Sequence, residues 1–304
     1  MNSKHLAIGL VIGTIGLVGQ AIHAGSEMAD WRTDPVWYDG KAEYAVYDAQ
    51  RTIYGTVRDY QTVIITNKQY MDPATTTKAS DWQADDVVEV FKHNVREVIP
   101  TENYDYKFLT TSFVRTDESL TPFKLVMSSQ EDCGATYKQY VMADNRLKGD
   151  QFVYFPDAGH MDSSQAVPAQ SFMFFDGLGL TLRNYPFPDP DRVAGGMVTM
   201  LDQDVTVLPE QTDTHSTSME PRAGVLKYGG VDTVRLGDSD QIMPCHKLTL
   251  ELEAGSEDGE PDVSHFWFAA DGDSGWLHIL VKYEGFDGVK MTLNSVRRWA
   301  YWER

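Results

Sequence analysis

Residues 247–253, Lys-Leu-Thr-Leu-Glu-Leu-Glu, decide the fold, because apolar and polar side chains alternate strictly along them. Leu248, Leu250 and Leu252 fall on one face of an extended chain, and charged or threonine side chains fall on the other. A period of two is that of a β-strand with one buried face, so this stretch predicts such a strand.

The chain that follows repeats the pattern up to the C-terminus. Runs rich in β-forming residues are separated by acidic or glycine-rich turns, with the runs at 265–269, 276–283 and 289–293 and the turns at 256–262, 271–275 and 285–288. Strands of this length, with turn residues every 8–12 positions, are typical of an antiparallel meander.

The N-terminal half carries further strand patterns. Compact β-forming runs occur at 43–47, 60–66, 104–115, 123–127 and 136–142, and the last two are expected to pair. The spacing of apolar residues at 87–99 fits a helix and a strand equally well. Between the halves, apolar residues three and four apart behind Pro168 predict a helix at 168–183.

These patterns predict a mostly β protein: an antiparallel open β-barrel or sandwich built from meanders, with one or two short helices. We expect one domain over residues 25–304. A candidate internal boundary lies at 185–191, where three prolines remove backbone donors and prevent regular structure.

Composition limits the classes of function. The chain has 304 residues, 42% of them hydrophobic, and its 26 Lys and Arg against 45 Asp and Glu give a net charge of −19. The apolar content is that of a folded protein. The acidic balance argues against a nucleic-acid partner, because binding phosphates requires concentrated Lys and Arg.

The N-terminus has the pattern of a secretory signal peptide. Lys4 precedes an uncharged run at 6–18, and small and polar residues follow it. The run is shorter than the roughly 20 apolar residues that cross a bilayer. A cleaved signal over residues 1–24 is therefore favoured over a membrane anchor, with no transmembrane span in the mature chain and a periplasmic or secreted location.

Export makes a disulfide between Cys133 and Cys245 a candidate, because disulfides form in oxidising compartments. Closing so long a loop would stabilise the fold by about 5 kcal/mol on the chain-entropy model. Two separate buried thiols are the alternative, since spacing in sequence does not show that the two Cα atoms approach.

No motif predicts catalytic or metal-binding residues. Residues 272–275, Gly-Asp-Ser-Gly, resemble the nucleophile segment of chymotrypsin-like proteases, but Trp276 stands where that family needs glycine, so a turn is favoured. A calcium loop starting at Asp271 would need Glu where Lys282 stands. His265 and His278 are expected on neighbouring strands, facing one another as a structural pair. No cofactor is indicated.

Aromatic residues in the meander give the candidate ligand-binding site. Both faces of the strand around Phe266, Trp267 and Phe268 are apolar, and Trp276 follows on the next run. One face must meet the core, whereas the other needs cover from a helix, a second sheet or a ligand. The helix at 168–183 is the expected cover. Ordinary core and an apolar ligand groove remain alternatives.

Three stretches carry a family resemblance: 37–48, 128–139 and the meander from 266 to 302. Together they resemble a group of exported bacterial proteins of unknown function, and the meander resembles a domain-of-unknown-function family built on an open antiparallel β-barrel. The resemblance implies an envelope protein and an open barrel, and it carries no catalytic residues.

Three functions are compatible with these observations. The favoured one is non-catalytic binding, in the envelope, of an apolar or lipid-like ligand or of a partner protein. The alternative is an exported hydrolase of an envelope polymer that uses carboxylates from the loops at 185–220, which requires two of them about 5–10 Å apart in a cleft. The third is an interaction module that pairs through its edge strands.

Overall fold

A computed structural model describes residues 30–303 except 133, 169–170, 191–192, 194–199, 213–217, 238–239, 256–258 and 271–277. The predicted signal peptide thus lies outside the described residues. Within them, no helix is both long enough and apolar enough to cross a membrane.

In the part of the chain that the structure describes, sixteen strands form one sheet. They are β1 Ala42–Ile53, β2 Thr56–Asp72, β3 Thr77–Lys78, β4 Val88–Pro100, β5 Asp105–Arg115, β6 Pro122–Glu131, β7 Gly134–Ala143, β8 Arg146–Val153, β9 Gly159–Ala166, β10 Phe172–Phe174, β11 Gln203–Leu208, β12 Arg222–Arg235, β13 Ile242–Leu252, β14 Asp262–Ala269, β15 Leu280–Glu284 and β16 Lys290–Trp299. The mostly β prediction is therefore confirmed, and the ambiguous run at 87–99 is a strand.

The order of strands in the sheet is β10-β11-β12-β13-β14-β15-β16-β1-β2-β4-β5-β6-β7-β8-β9, with β3 paired to β2 beside this path. All neighbours are antiparallel except β10 and β11. The first long strand pairs with the last, from Ala42 opposite Trp299 to Gln50 opposite Lys290. Strands from both sides of the proline-rich stretch at 185–191 thus belong to the same sheet.

The sheet curls on itself but does not close. Phe172 and Phe174 of the edge strand β10 pack against Leu125 of β6 and Tyr140 of β7, near the opposite edge. We call the face toward which the sheet curls its inner face. The open, antiparallel architecture expected from the sequence is confirmed in this form.

Residues 171–187, which we call the internal segment, lie against the inner face. They contain β10, a 3₁₀ turn at Phe175–Gly177, the helix α1 at Leu178–Thr181 and a second 3₁₀ turn at Leu182–Asn184. Phe175, Leu178 and Leu182 are buried in the same apolar cluster as Phe266 and Phe268 of β14. The segment therefore covers the meander from inside.

The helix predicted at 168–183 is only partly correct. Phe172 and Phe174 are extended and pair in parallel with Thr206 and Leu208 of β11, so helical turns begin only at Phe175. Two glycines let those turns approach the sheet: a Cβ on Gly177 would lie 3.0 Å from the Ser112 Oγ, and one on Gly179 would lie 3.2 Å from a Leu280 methyl group.

The N-terminal 3₁₀ turns, Trp31–Thr33 and Pro35–Tyr38, pack against one end of the sheet. The Trp31 ring stacks on Phe91 at 5.2 Å between centroids. Arg183 of the internal segment lies over Trp31, with 4.8 Å from its guanidinium carbon to the ring centroid, and forms a buried ion pair with Glu43 of β1 at 2.8 Å. This end of the fold is thereby joined to the internal segment.

Candidate functional site

A cavity of about 90 Å³ lies between the internal segment and the inner face of the sheet. The apolar residues that line it are Ile64, Val95, Phe175, Phe266, Leu280, Val289 and Met291. The polar residues that line it are Arg51, Thr62, His93, Glu97, Thr110, Asp176, Glu210, Thr212, Tyr283 and Asp287. Strand alternation places the strand residues here, since side chains two apart share a face.

Arg51 contacts two of the carboxylates that line the cavity. One guanidinium nitrogen lies 2.9 Å from the Glu210 carboxylate, and another lies 4.0 Å from the Glu97 carboxylate. Glu97 also accepts hydrogen bonds from the Tyr60 hydroxyl at 2.6 Å and the Thr62 hydroxyl at 3.4 Å. The guanidinium therefore bridges two strands and the loop after β11.

Asp287 brings a third carboxylate to the same place. It sits in the turn between β15 and β16, where one oxygen accepts from the backbone N–H of Val289 at 3.0 Å and from the Tyr283 hydroxyl at 3.1 Å. Among the described residues that line the cavity, Arg51 alone carries a permanent positive charge. Three carboxylates thus face one guanidinium.

Burial and mutual repulsion favour the protonated carboxyl groups. Burial, reinforced by Asp287, holds the pKa of Glu210 well above its ordinary value. The pKa of Asp287 is raised to about 6, chiefly by burial, although Arg51 and the Val289 N–H lower it. Groups whose ionised forms are disfavoured in this way are characteristic of functional sites.

Asp176 is a fourth carboxyl group among the residues that line the cavity. Its oxygens accept from the Thr212 hydroxyl at 2.8 Å and the Gln211 backbone N–H at 3.1 Å, and burial raises its pKa. The fully buried Lys138 on β7 donates to the Gln211 carbonyl at 3.1 Å. This network ties the loop after β11 to the internal segment and to β7.

One buried histidine lines the cavity, and two others pack against Phe187. His93 lies on its wall, receives or donates a hydrogen bond at 2.8 Å with the Thr66 hydroxyl, and has its pKa lowered to about 3 by burial and by Arg183. His246 stacks on Phe187 at 4.5 Å, and His278 meets the same ring edge-on at 4.6 Å. Burial lowers the pKa of both to about 4.

The expected pairing of His265 with His278 is wrong. His278 has His246 as its neighbour, with 6.0 Å between ring centroids. His265 instead lies beside the Thr249 hydroxyl at 3.0 Å and beside Trp267. The register of the strands explains this. The backbone N–H of Ala269 donates to the Ile279 carbonyl, so Ala269, and not His265, pairs with the residue next to His278.

The aromatic residues expected to bind a ligand separate onto two faces. Phe266 lines the cavity, and Phe268 is buried beside Phe187 at 5.7 Å. Trp267 points to the outer face but is only 4% exposed. Trp276 lies outside the described residues, as does the turn at 271–275.

Other side chains of the protein cover Trp267. The Trp267 indole N–H donates to Asp232 at 3.1 Å, and the ammonium groups of Lys282 and Lys247 lie 4.5 and 5.0 Å from the centroid of the Trp267 ring. Asp232 reaches it because β12 has an irregular register at Tyr228/Val231, where Gly230 has a φ of +91°. The face opposite the cavity is thus covered by a hairpin and lysines.

Cys245 is a buried thiol whose pKa is raised to about 12 by burial and by Asp232. Its proposed disulfide partner, Cys133, lies outside the described residues. No group of three or more His, Cys, Asp or Glu side chains is arranged to hold a metal ion in the described parts of the chain.

Sequence reasoning missed most of the polar site. Glu210 falls within the loops named for the hydrolase alternative, but Arg51, Glu97 and Asp287 were not singled out. One signal was present: Glu97 follows His93 and Val95 at alternate positions of β4, which makes it a charged residue on the buried face. The meeting of Glu97 with Asp287 depends on how the sheet curls, which no local pattern encodes.

No family model matches the chain, and no curated protein or solved structure is significantly similar to it.

Proposed function

We propose that this protein binds a small amphiphilic molecule in the internal cavity without transforming it. The observation that supports this proposal is a cavity lined both by apolar side chains, which include Phe175 and Phe266, and by carboxylates in excess of cations. A ligand with an apolar body and a hydrogen-bond-donating or cationic head would contact both kinds of lining residue.

The electrostatics of the free protein favour such a head group. Buried carboxylates cost stability unless they are paired, and Glu97, Glu210 and Asp287 share one guanidinium. A hydrogen-bond donor on a ligand bound among these carboxylates would replace the hydrogen bonds to water that they lose on burial. Burial raises the pKa values of Glu210 and Asp287, and a head group that donates hydrogen bonds to them would favour their ionised forms.

The cavity volume limits the ligand. Drug-sized ligands occupy pockets of about 300–1,000 Å³, so 90 Å³ accepts only a small group while the internal segment is in place. A larger lipid-like molecule would have to displace residues 175–179. The internal segment would then act as a lid that exchanges with the ligand.

The same proposal places the protein outside the cytoplasm of a bacterium. Its support is the signal-like pattern at 1–24 and the resemblance to exported envelope proteins. Mass spectrometry of a periplasmic extract would show a mature N-terminus close to residue 25. Recovery only of the full-length chain from the cytoplasm would contradict export.

Native mass spectrometry of protein purified gently from the periplasm, followed by solvent extraction, tests binding. We expect a discrete added mass that is released by extraction and is lost in Glu210→Gln and Asp287→Asn. Glu284→Gln is the matched control, because Glu284 lies on β15 and pairs with Lys282 outside the cavity. A bare mass for the native protein, or an adduct retained by both cavity variants, would contradict the proposal.

One observation favours hydrolysis as a second candidate. Glu97 and Glu210 contact the same guanidinium, which keeps them within the separation of about 5–10 Å used by paired catalytic carboxylates. The high pKa of Glu210 suits a general acid. The small volume opposes a polymer substrate, and this is why binding is preferred.

Incubation with purified peptidoglycan tests the second candidate. If the protein is a hydrolase of this polymer, soluble fragments appear with the native chain and not with Glu97→Gln or Glu210→Gln. Absence of fragments with the native protein, together with a retained ligand, would leave binding alone.

A further inference from the structure

A groove on the outer surface, remote from the cavity, carries a different chemistry. It has a volume of about 700 Å³ and is lined by β2, β4, the segment after β3 and the C-terminal turn. We call it the basic groove and define it by Asn67, Gln69, Lys78, Trp82, Lys92 and Trp302. None of these residues lines the cavity, so the two sites are independent.

The groove concentrates positive charge on an acidic protein. Four lysines line the groove: Lys41, Lys68, Lys78 and Lys92. Lys68 pairs with Glu89 at 3.0 Å, whereas Lys78 and Lys92 have no acidic side chain within 4 Å among the described residues. Burial and the proximity of Lys78 lower the pKa of Lys92. Two unneutralised ammonium groups side by side, in a chain of net charge −19, favour an anionic ligand.

The groove also presents flat aromatic surfaces. Trp82 is 61% exposed and Trp302 is 50% exposed, although each has one aromatic neighbour. Trp82 lies against Tyr70 at 6.0 Å, and Trp302 lies against Tyr301 at 5.0 Å. Each indole is thus held in place while half of its surface remains open to a ligand.

The polar groups beside the indoles are amides. Asn67 and Gln69 are half-buried on neighbouring outward positions of β2, and both line the groove. The Asn67 amide donates to the Lys68 carbonyl at 2.9 Å and the Gln69 amide donates to the Met71 sulfur at 2.9 Å. Each amide keeps a second N–H and its oxygen, a donor and an acceptor that match a sugar hydroxyl. Indole faces pack well against the C–H faces of pyranose rings, and ammonium groups bind carboxylate substituents.

We infer that the basic groove binds an acidic carbohydrate chain, such as one built from uronic acid units. Its concave shape and amide groups suit a chain that lies within it better than a flat membrane surface. A nucleic acid carries a phosphate at every nucleotide and needs a denser array of Lys and Arg than the four lysines of the groove, one of which is already paired with Glu89. The charge density of an acidic glycan matches the groove.

Titration calorimetry with oligogalacturonate, a chain of uronic acids, tests this inference. We expect measurable binding at low salt that weakens as salt is added. Trp82→Ala and the double variant Lys78→Glu/Lys92→Glu should each raise Kd at least about tenfold. Tyr154→Ala and Lys107→Glu are matched controls at exposed positions outside the groove, and they should leave Kd unchanged.

Several results would overturn the inference. These are no binding of oligogalacturonate, equal binding by the groove variants and the controls, and equal binding of a neutral dextran oligomer. Binding to phosphatidylglycerol vesicles that Trp82→Ala abolishes, without glycan binding, would identify a membrane-docking surface instead. Thermal unfolding of each variant confirms that it folds, and a ligand retained in the cavity would be unaffected by any of these outcomes.

Discussion

Single carboxyl groups determine how the cavity responds to pH. The pKa of Asp287 in the folded protein is about 6, against an ordinary value of 3.8, so the folded state holds its proton more tightly than the unfolded state. This stabilisation is complete below about pH 4 and is lost as pH rises toward 6 and beyond. The ionised group is therefore a cost at neutral pH.

Asp287→Asn should consequently gain stability relative to the native protein as pH rises. The change between pH 4 and pH 7 should be about 2 kcal/mol, because each pKa unit corresponds to about 1.4 kcal/mol and part of the effect is already lost at pH 4. Urea unfolding at pH 4, 5.5 and 7 measures it. Glu284→Gln should change in the opposite direction, since Lys282 lowers the pKa of Glu284. A difference that is independent of pH would refute the assignment.

His246 should show the reverse dependence. Its folded pKa of about 4 lies below the ordinary 6.5, so the unfolded state takes up the proton first and stability falls as pH drops from 6.5 to 4. Phenylalanine at this position keeps the ring against Phe187 and removes the titration. Relative to the native protein, His246→Phe should gain up to about 3 kcal/mol over this interval in urea unfolding. A constant offset, as expected from losing the Tyr228 hydrogen bond alone, would contradict the prediction.

At the scale of elements, the internal segment is the feature that sequence patterns described least well. Apolar spacing of three and four predicted a helix from residue 168, yet the structure has a short strand followed by tight helical turns. Phe172 and Phe174 became extended because β11 offers them a parallel partner. Local periodicity does not report such a pairing.

The buried ion pair of Arg183 with Glu43 should hold the internal segment against β1. Arg183→Met leaves the Glu43 carboxylate buried without this partner, and such losses cost about 3–5 kcal/mol. Adding Glu43→Gln removes the charge and should recover a large part of that cost. Urea unfolding of the native chain, the single variant and the double variant measures how much of the lost stability the second substitution recovers. Equal stability of the single and double variants would show that the pair does not act as a unit.

The whole molecule is a meander whose sheet order is a circular permutation of its chain order. β16 pairs with β1, whereas β9 and β10 lie at opposite edges. Pairing the two ends of the chain requires closing a very long loop, and such non-local contacts slow folding.

A circular permutant tests whether the pairing of β1 with β16 slows folding. Joining the described ends, 303 to 30, through a flexible linker and opening the chain between β9 and β10 makes every antiparallel pair local in sequence. We expect the permutant to keep the far-ultraviolet circular dichroism of the native fold and to refold faster in stopped-flow experiments. An unchanged refolding rate would show that the β1–β16 pairing does not limit folding.

The sequence alone determined the class of fold. Strict alternation at 247–253, turn residues at short intervals and β-branched runs required an antiparallel, mostly β chain, because these signals depend only on near neighbours. Burial of Leu248, Leu250 and Leu252 followed from the same alternation. The tertiary structure alone decided what those strands enclose. Arg51, Glu97, Glu210 and Asp287 come from four distant parts of the chain, and they meet only because the sheet curls around residues 171–187. Curvature is a collective property of many strand pairs, and for that reason the carboxylate cavity could not be predicted from the sequence.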